Sequence, residues 1–223
     1  MESNNHTRLI PEVGSAFGFG WQKMKDDFAN LLVVTIIMLV AQSLGSISGT
    51  NTGNDISYSG SSVSFLIWLL ISGPVSMSAT WVYLKAVRGD SYEIKDTVAC
   101  FGSNYFEIML AGLLVTFIII FGIVFLIVPG IVFAVKLAFV PYLVMDKEMK
   151  ATDAIKKSWE MTKGYGWQLF FMGFLSIFIV IAGLLLFIVG IFPAILWINS
   201  AFAAFYHAVD LKNKEAVTIE TIK

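Results

Sequence analysis

The sequence predicts an all-α integral membrane protein: six transmembrane helices arranged as three parallel two-helix repeats, each preceded by an interfacial amphipathic helix. Three observations predict it. Of 223 residues, 57% are apolar and only 14% are charged, against about 25% charged in a soluble domain. Mean hydropathy is +0.78, so a water-soluble fold of this size lacks the polar side chains to cover its surface. A soluble globular enzyme is thereby excluded, and so is a disordered chain. Apolar runs long enough to cross a hydrocarbon core of about 30 Å recur along the chain. The basic residues, finally, fall almost wholly between alternate runs.

The runs are 31–47, 63–87, 108–128, 130–145, 167–189 and 191–209. The fourth is short and carries Lys136. Pro129-Gly130 joins the third to the fourth, and the stretch from Gly190 to Pro193 joins the fifth to the sixth. Pro and Gly punctuate tight hairpins of this kind. Of the 15 Lys and Arg, all except Lys136 lie on one side. Arg8, Lys23 and Lys25 precede the first run. Lys85, Arg88 and Lys95 lie between the second and third. Lys147, Lys150, Lys156, Lys157 and Lys163 lie between the fourth and fifth, and Lys212, Lys214 and Lys223 follow the sixth. Positive residues stay in the cytoplasm, so both termini are expected there. The loop 45–62 is rich in Ser, Gly and Asn and reads as flexible and external. About 30 mixed residues precede the first run, so the N-terminus does not read as a secretory signal.

Each pair of runs follows an amphipathic stretch. Val13, Phe17, Trp21, Met24 and Phe28 form the first stripe. Ile94, Val98, Phe101, Tyr105 and Ile108 form the second. In the third, Ala151, Ile155, Trp159 and Thr162 oppose Lys156, Lys157, Glu160 and Lys163. A helix with one apolar stripe and basic flanks is expected to lie in the headgroup layer. Trp21, Trp159, Trp167, Lys156 and Lys157 are its expected anchors. The returning runs match too. Pro74 lies 16 residues before Asp90, while Pro129 and Pro193 lie 17 before Asp146 and Asp210. The expected single membrane domain therefore comprises repeat 1 (about 11–90), repeat 2 (about 91–146), repeat 3 (about 147–210) and a cytoplasmic tail, 211–223. Units of two spans share one orientation, which argues against inverted-repeat transporter architectures.

Lys136 is the clear intramembrane charge, at a cost of roughly 2.5–3.5 kcal/mol at a helix centre. Two readings stay open: its amine snorkels to the outer headgroups, or it faces the bundle interior and binds an anionic lipid or solute. Counting ten back from each terminal Asp makes Thr80, Lys136 and Ser200 equivalents, with Asn199 adjacent. In a threefold bundle these four would converge near the axis. Ser72, Ser76 and Thr80, like Ser200, Ala204 and Ala208, recur at spacings that favour close helix packing. Glu107 and His207 fall near cytoplasmic span ends.

No HExxH, GxSxG, Walker A or intramembrane carboxylate pair is present. One cysteine, Cys100, and two histidines, His6 and His207, imply no disulfide, metal site or cofactor. A net charge of −1 offers no basic field for nucleic acid.

One stretch resembles a known family. It runs from Phe125 to Ile131 (FLIVPGI), Pro141 to Asp146 (PYLVMD) and Ala154 to Gly164 (AIKKSWEMTKG), and ends at Trp167 to Phe170 (WQLF). Over about residues 105–210 it is similar to the multi-pass membrane domain found ahead of some bacterial glycerophosphodiester phosphodiesterases, and to related inner-membrane proteins. The resemblance implies a helical bacterial inner-membrane module. The acidic metal ligands and histidines of the family's catalytic barrel have no counterpart in these residues, so its activity is not carried over.

The expected function is a non-catalytic inner-membrane module that scaffolds or regulates a partner or the local lipid. Its expected contacts are the bilayer, anionic lipid at the cytoplasmic face, and a membrane-protein partner. The alternative is a small transporter, channel or lipid-translocating protein using a polar inter-repeat site around Lys136. A membrane enzyme acting on lipid is the third reading.

Overall fold

The computed structural model describes residues 10–47, 58–102, 104–185 and 190–222. The described residues are helical, without strands. In chain order the helices are α1 (Val13–Asp26), α2 (Phe28–Ile47), α3 (Tyr58–Arg88), a 3-10 helix (Ile94–Phe101), α4 (Tyr105–Phe125), α5 (Ile127–Lys136), α6 (Val140–Lys147), α7 (Ala151–Met161), α8 (Gly166–Leu185) and α9 (Ile191–Ile222). Among the described residues four stretches are long and apolar enough to cross a membrane: α4, α8, Ile191–Ala216 of α9, and Ile127–Lys147, which is α5 and α6 taken together. Phe28–Ser43 in α2 is apolar but shorter. The expected run 63–87 lies within α3, and most of the expected loop 45–62 lies outside the described residues.

Three boundaries differ from expectation. The turn after α4 comes at Leu126, in extended conformation (φ −163°, ψ 136°), not at Pro129-Gly130. Pro129 instead sits in the first turn of α5, where a missing N–H costs nothing. Gly130 then packs on α4: a Cβ there would lie 2.8 Å from the Ile123 nitrogen. The second amphipathic stretch is not one α-helix over 94–108. It is a 3-10 helix ending at Gly102, with α4 starting at Tyr105. The stretch expected as a tail continues α9 to Ile222, since no breaker follows Asp210.

The largest departure is inside the fourth run, where the helix stops at Lys136 and resumes at Val140. Pro141 explains it. It cannot donate to the Leu137 carbonyl, and its ring crowds that carbonyl. Val140 N–H therefore turns back to Leu137 O at 3.1 Å, and Ala138 N–H takes Val135 O at 3.4 Å. That leaves the Lys136 carbonyl and the Phe139 N–H without ladder partners. The Ser158 hydroxyl of α7 serves both, donating to Lys136 O at 2.7 Å and accepting from Phe139 N–H at 3.3 Å. Backbone groups at this depth must be satisfied, and a side chain from the next helix satisfies them.

The amphipathic segments pack on returning helices. α1 buries Ala16, Phe17, Gly20 and Met24 and lies against α9. Trp197 Nε1–H donates to Phe17 O at 2.8 Å, and a Cβ on Gly20 would lie 2.6 Å from the Ala201 nitrogen. The 3-10 helix lies against α3, with Cys100 N–H donating to Ser78 Oγ at 2.9 Å and Lys85 pairing with Asp96 at 2.9 Å. α7 lies against α6 through Ser158. The buried faces match the expected stripes only in part: Phe17, Met24, Ile108, Ala151 and Thr162 are buried. Thr97 and Cys100 are buried while Ile94, Val98 and Phe101 are exposed. On α7 the small residues Ala151, Ala154 and Ser158 are buried and Trp159 stays at the edge. Small side chains let helices approach, so on these two segments they take much of the inner face.

The core between α3, α6 and α9 is aromatic. Tyr142 stacks on Tyr206 (4.6 Å between centroids, 11° between planes), and Phe139 meets Tyr206 edge-on at 5.4 Å. Thr35 and Tyr83 share a buried hydroxyl hydrogen bond of 2.5 Å. Outside lies a continuous apolar surface. Phe117, Phe121, Val124 and Phe125 of α4, Val128 of α5, and Phe171, Phe174, Phe178 and Leu185 of α8 are all exposed. Soluble monomers rarely expose so large an apolar surface; here it suits lipid.

Candidate functional site

Two polar constellations stand out. The first joins the ends of α3, α6 and α9. The Arg88 guanidinium donates through both terminal nitrogens to Asp146, one of these bonds measuring 2.8 Å. It also lies 3.8 Å from Asp210, and its Nε donates to His207 Nδ1 at 3.4 Å. Asp210, only 2% exposed, pairs with Lys147 and with Lys214 (2.9 Å). Tyr206 OH donates to Asp146 at 3.4 Å. One buried and one half-buried carboxylate are thus offset by three cations from three helices. Every charge in the group has an opposite partner, so it reads as a fastening and not as a site.

The second surrounds Lys136. Its ammonium lies 5.7 Å from the Trp159 ring centroid and forms no ion pair among the described residues. Beside it a groove of about 580 Å³ runs between α5 and α8, lined by Val128, Ile131, Val132, Lys136, Trp167 and Phe170 among others. Trp167 is 74% exposed at its rim. Lys136 therefore keeps company with Trp159 of α7 and with the start of α8. The cause is the helix break: α7 folds back beside α6 and brings Trp159 up to Lys136.

The four residues expected to converge do not. Thr80 lines a separate cavity of about 480 Å³ between α3 and α4, with Ser72, Ser76, Gln42 and Thr116. Asn199 faces a shallow groove between α8 and α9 and donates to Ile195 O at 2.9 Å. Ser200 is 1% exposed, at the α1–α9 contact. Counting ten residues back assumes unbroken helices of equal phase, and the break at 137–139 removes that premise. Of the expected anchors, Lys156 and Lys157 are exposed, Lys157 being 3.5 Å from Glu160. Trp21 is 43% exposed, meets Trp197 edge-on at 4.8 Å and lies under Lys25 (5.9 Å).

Sequence reasoning missed Ser158 and Arg88. Ser158 had a signal: a small hydroxyl on the inner face of an amphipathic helix, soon after a Pro that orphans a carbonyl. Arg88 had none beyond standing two residues before Asp90, which is itself exposed and outside the cluster. Among the described residues no His, Cys, Asp and Glu group could hold a metal ion. Comparison with family models, curated proteins and solved structures finds no match.

Proposed function

We propose that the chain is a non-catalytic bacterial inner-membrane module of six spans in three parallel units, with cytoplasmic termini, that gathers anionic lipid at its cytoplasmic face and so organises a membrane partner. The packing order supports the three units: α1 rests on α9, the 3-10 helix on α3 and α7 on α6, so each amphipathic segment leans on the returning helix of the unit before it, cyclically. The distribution of Lys and Arg supports the orientation.

One observation carries the lipid reading. α7 buries its small residues and presents Lys156 and Lys157 outward, on the helix that carries the exposed Trp159. Cations at the rim of a lipid-facing surface attract anionic headgroups, by about 1 kcal/mol each. The test is lipid retention in nanodiscs of mixed phosphatidylglycerol and phosphatidylcholine. Phosphatidylglycerol is enriched around the wild type, and Lys156→Gln/Lys157→Gln reduces the enrichment. Equal retention of both lipids by the wild type refutes the reading. Single cysteines at positions 53 and 223, in a Cys100→Ser background, test the orientation. They label from opposite sides of intact cells.

A second reading, a small transporter, is favoured by the hydroxyl-lined cavity between α3 and α4. The Ser76 and Thr80 hydroxyls there donate to backbone carbonyls at 2.7 and 2.9 Å, leaving acceptor lone pairs for a solute. Solute flux into proteoliposomes that Thr80→Val abolishes is its signature.

A further inference from the structure

The fourth run stops being helical directly after Lys136, and three features meet there. Ser158 holds the Lys136 carbonyl and the Phe139 N–H, so the backbone carrying the lysine is pinned on both sides of the break. The ammonium stands over Trp159 and has no carboxylate partner among the described residues. The adjoining groove, about 580 Å³, falls within the ~300–1,000 Å³ of small-molecule sites. Its walls are aliphatic and aromatic. Val128, Ile131 and Val132 are 70%, 41% and 45% exposed, so it opens on the surface that faces lipid.

An acyl chain gains nothing by leaving the bilayer for an apolar groove, because lipid tails are as apolar as leucine. The groove therefore supplies shape, and the cation supplies preference. A lysine among apolar walls is completed by an anion that brings its own hydrocarbon. Free phosphate lacks the hydrocarbon, and a zwitterionic lipid brings an ammonium of its own that competes for its phosphate.

We infer that the groove between α5 and α8 is a binding site for one anionic glycerophospholipid, its phosphodiester on Lys136 and one acyl chain along Val128, Ile131 and Val132. The inference rests on the lipid reading proposed above and names its site.

Native mass spectrometry of the full chain released from phosphatidylglycerol–phosphatidylcholine nanodiscs tests it. The wild type keeps one phosphatidylglycerol through progressive delipidation. Lys136→Met lowers that retention about fivefold, and Lys136→Arg restores most of it. Ile131→Trp fills the groove and also loses the lipid, with the lysine intact. Lys156→Gln/Lys157→Gln keeps the tightly held lipid and loses only the wider enrichment. Soluble glycerophosphoglycerol does not displace the lipid. Wild-type retention in both Lys136→Met and Ile131→Trp overturns the site, as does displacement by the soluble headgroup. If the double variant alone abolishes the preference, the site fails and the lipid reading stands. If the wild type shows no preference, both fail.

Discussion

Asp96 shows what a single side chain does here. It holds the 3-10 helix against α3 through Lys85, at 2.9 Å. Burial pushes its pKa up, but the hydrogen bond from Lys85, a backbone N–H and the nearby charges of Lys85 and Lys95 outweigh it and hold the carboxyl below its ordinary value. A depressed carboxylate stabilises fully above its unfolded pKa, about 3.9. That contribution is lost as pH falls through the lower folded value. The Cys100 amide, bonded to Ser78, reports it. Its hydrogen-exchange protection should hold down to about pH 4 and weaken below, whereas Asp96→Asn weakens it above that pH and meets the wild type at lower pH. Because the pair is partly exposed, the change is small: about 0.2–1 kcal/mol, or roughly 1.4-fold to fivefold in exchange. Burial also pushes the Cys100 thiol up, so it should react slowly with maleimide at neutral pH, and faster in the variant.

At the scale of elements, the break between α5 and α6 makes a sharper prediction. Ser158→Ala leaves one N–H and one C=O unsatisfied, at about 1–3 kcal/mol each. Pro141→Ala restores a donor that lets the ladder close through 137–139. Ser158→Ala should therefore cost less in the Pro141→Ala background, and the double-mutant cycle should show coupling above about 0.5 kcal/mol. Additive losses in thermal unfolding would mean that Ser158 does not serve the break. Glycines give a matched pair. Gly20→Ala drives a Cβ into the Ala201 backbone, which has nowhere to go, and should cost about 1–3 kcal/mol. Gly18→Ala, on the same helix with nothing within 4 Å, should be neutral or stabilising, since alanine is the better helix former.

For the whole molecule, the decisive group is the ion cluster of Arg88, Asp146, Asp210, Lys147 and Lys214. It ties three returning helices at one end, where the aromatic core of Tyr142, Phe139 and Tyr206 ends. Removing Arg88 takes the cation from Asp146, while Asp210 keeps Lys147 and Lys214. Arg88→Met should therefore lower unfolding stability by about 1–3 kcal/mol, read from denaturant titration in micelles. Asp90→Asn, at the exposed position that sequence spacing ranks with Asp146 and Asp210, should change it by under about 0.5 kcal/mol. If Asp90→Asn were the damaging variant, the cluster would not be what joins the helices.

Composition alone pointed to a membrane, because 57% apolar residues leave no other solvent for them, and the length of the apolar runs pointed to helices. The long apolar runs were legible for the same reason: length and hydropathy are properties of the chain itself. The Pro-to-Asp spacing also pointed to Asp146 and Asp210. Tertiary structure alone decided that Lys136 stands beside Trp159, that Thr80 and Asn199 line separate cavities while Ser200 is buried, and that Arg88 joins Asp146 and Asp210 while Asp90 stays outside the cluster. These depend on the phase of one helix against another. Sequence periodicity carries that phase only through unbroken helices, and three irregular residues at 137–139, repaired by a serine 19 residues onward from Phe139, are enough to erase it.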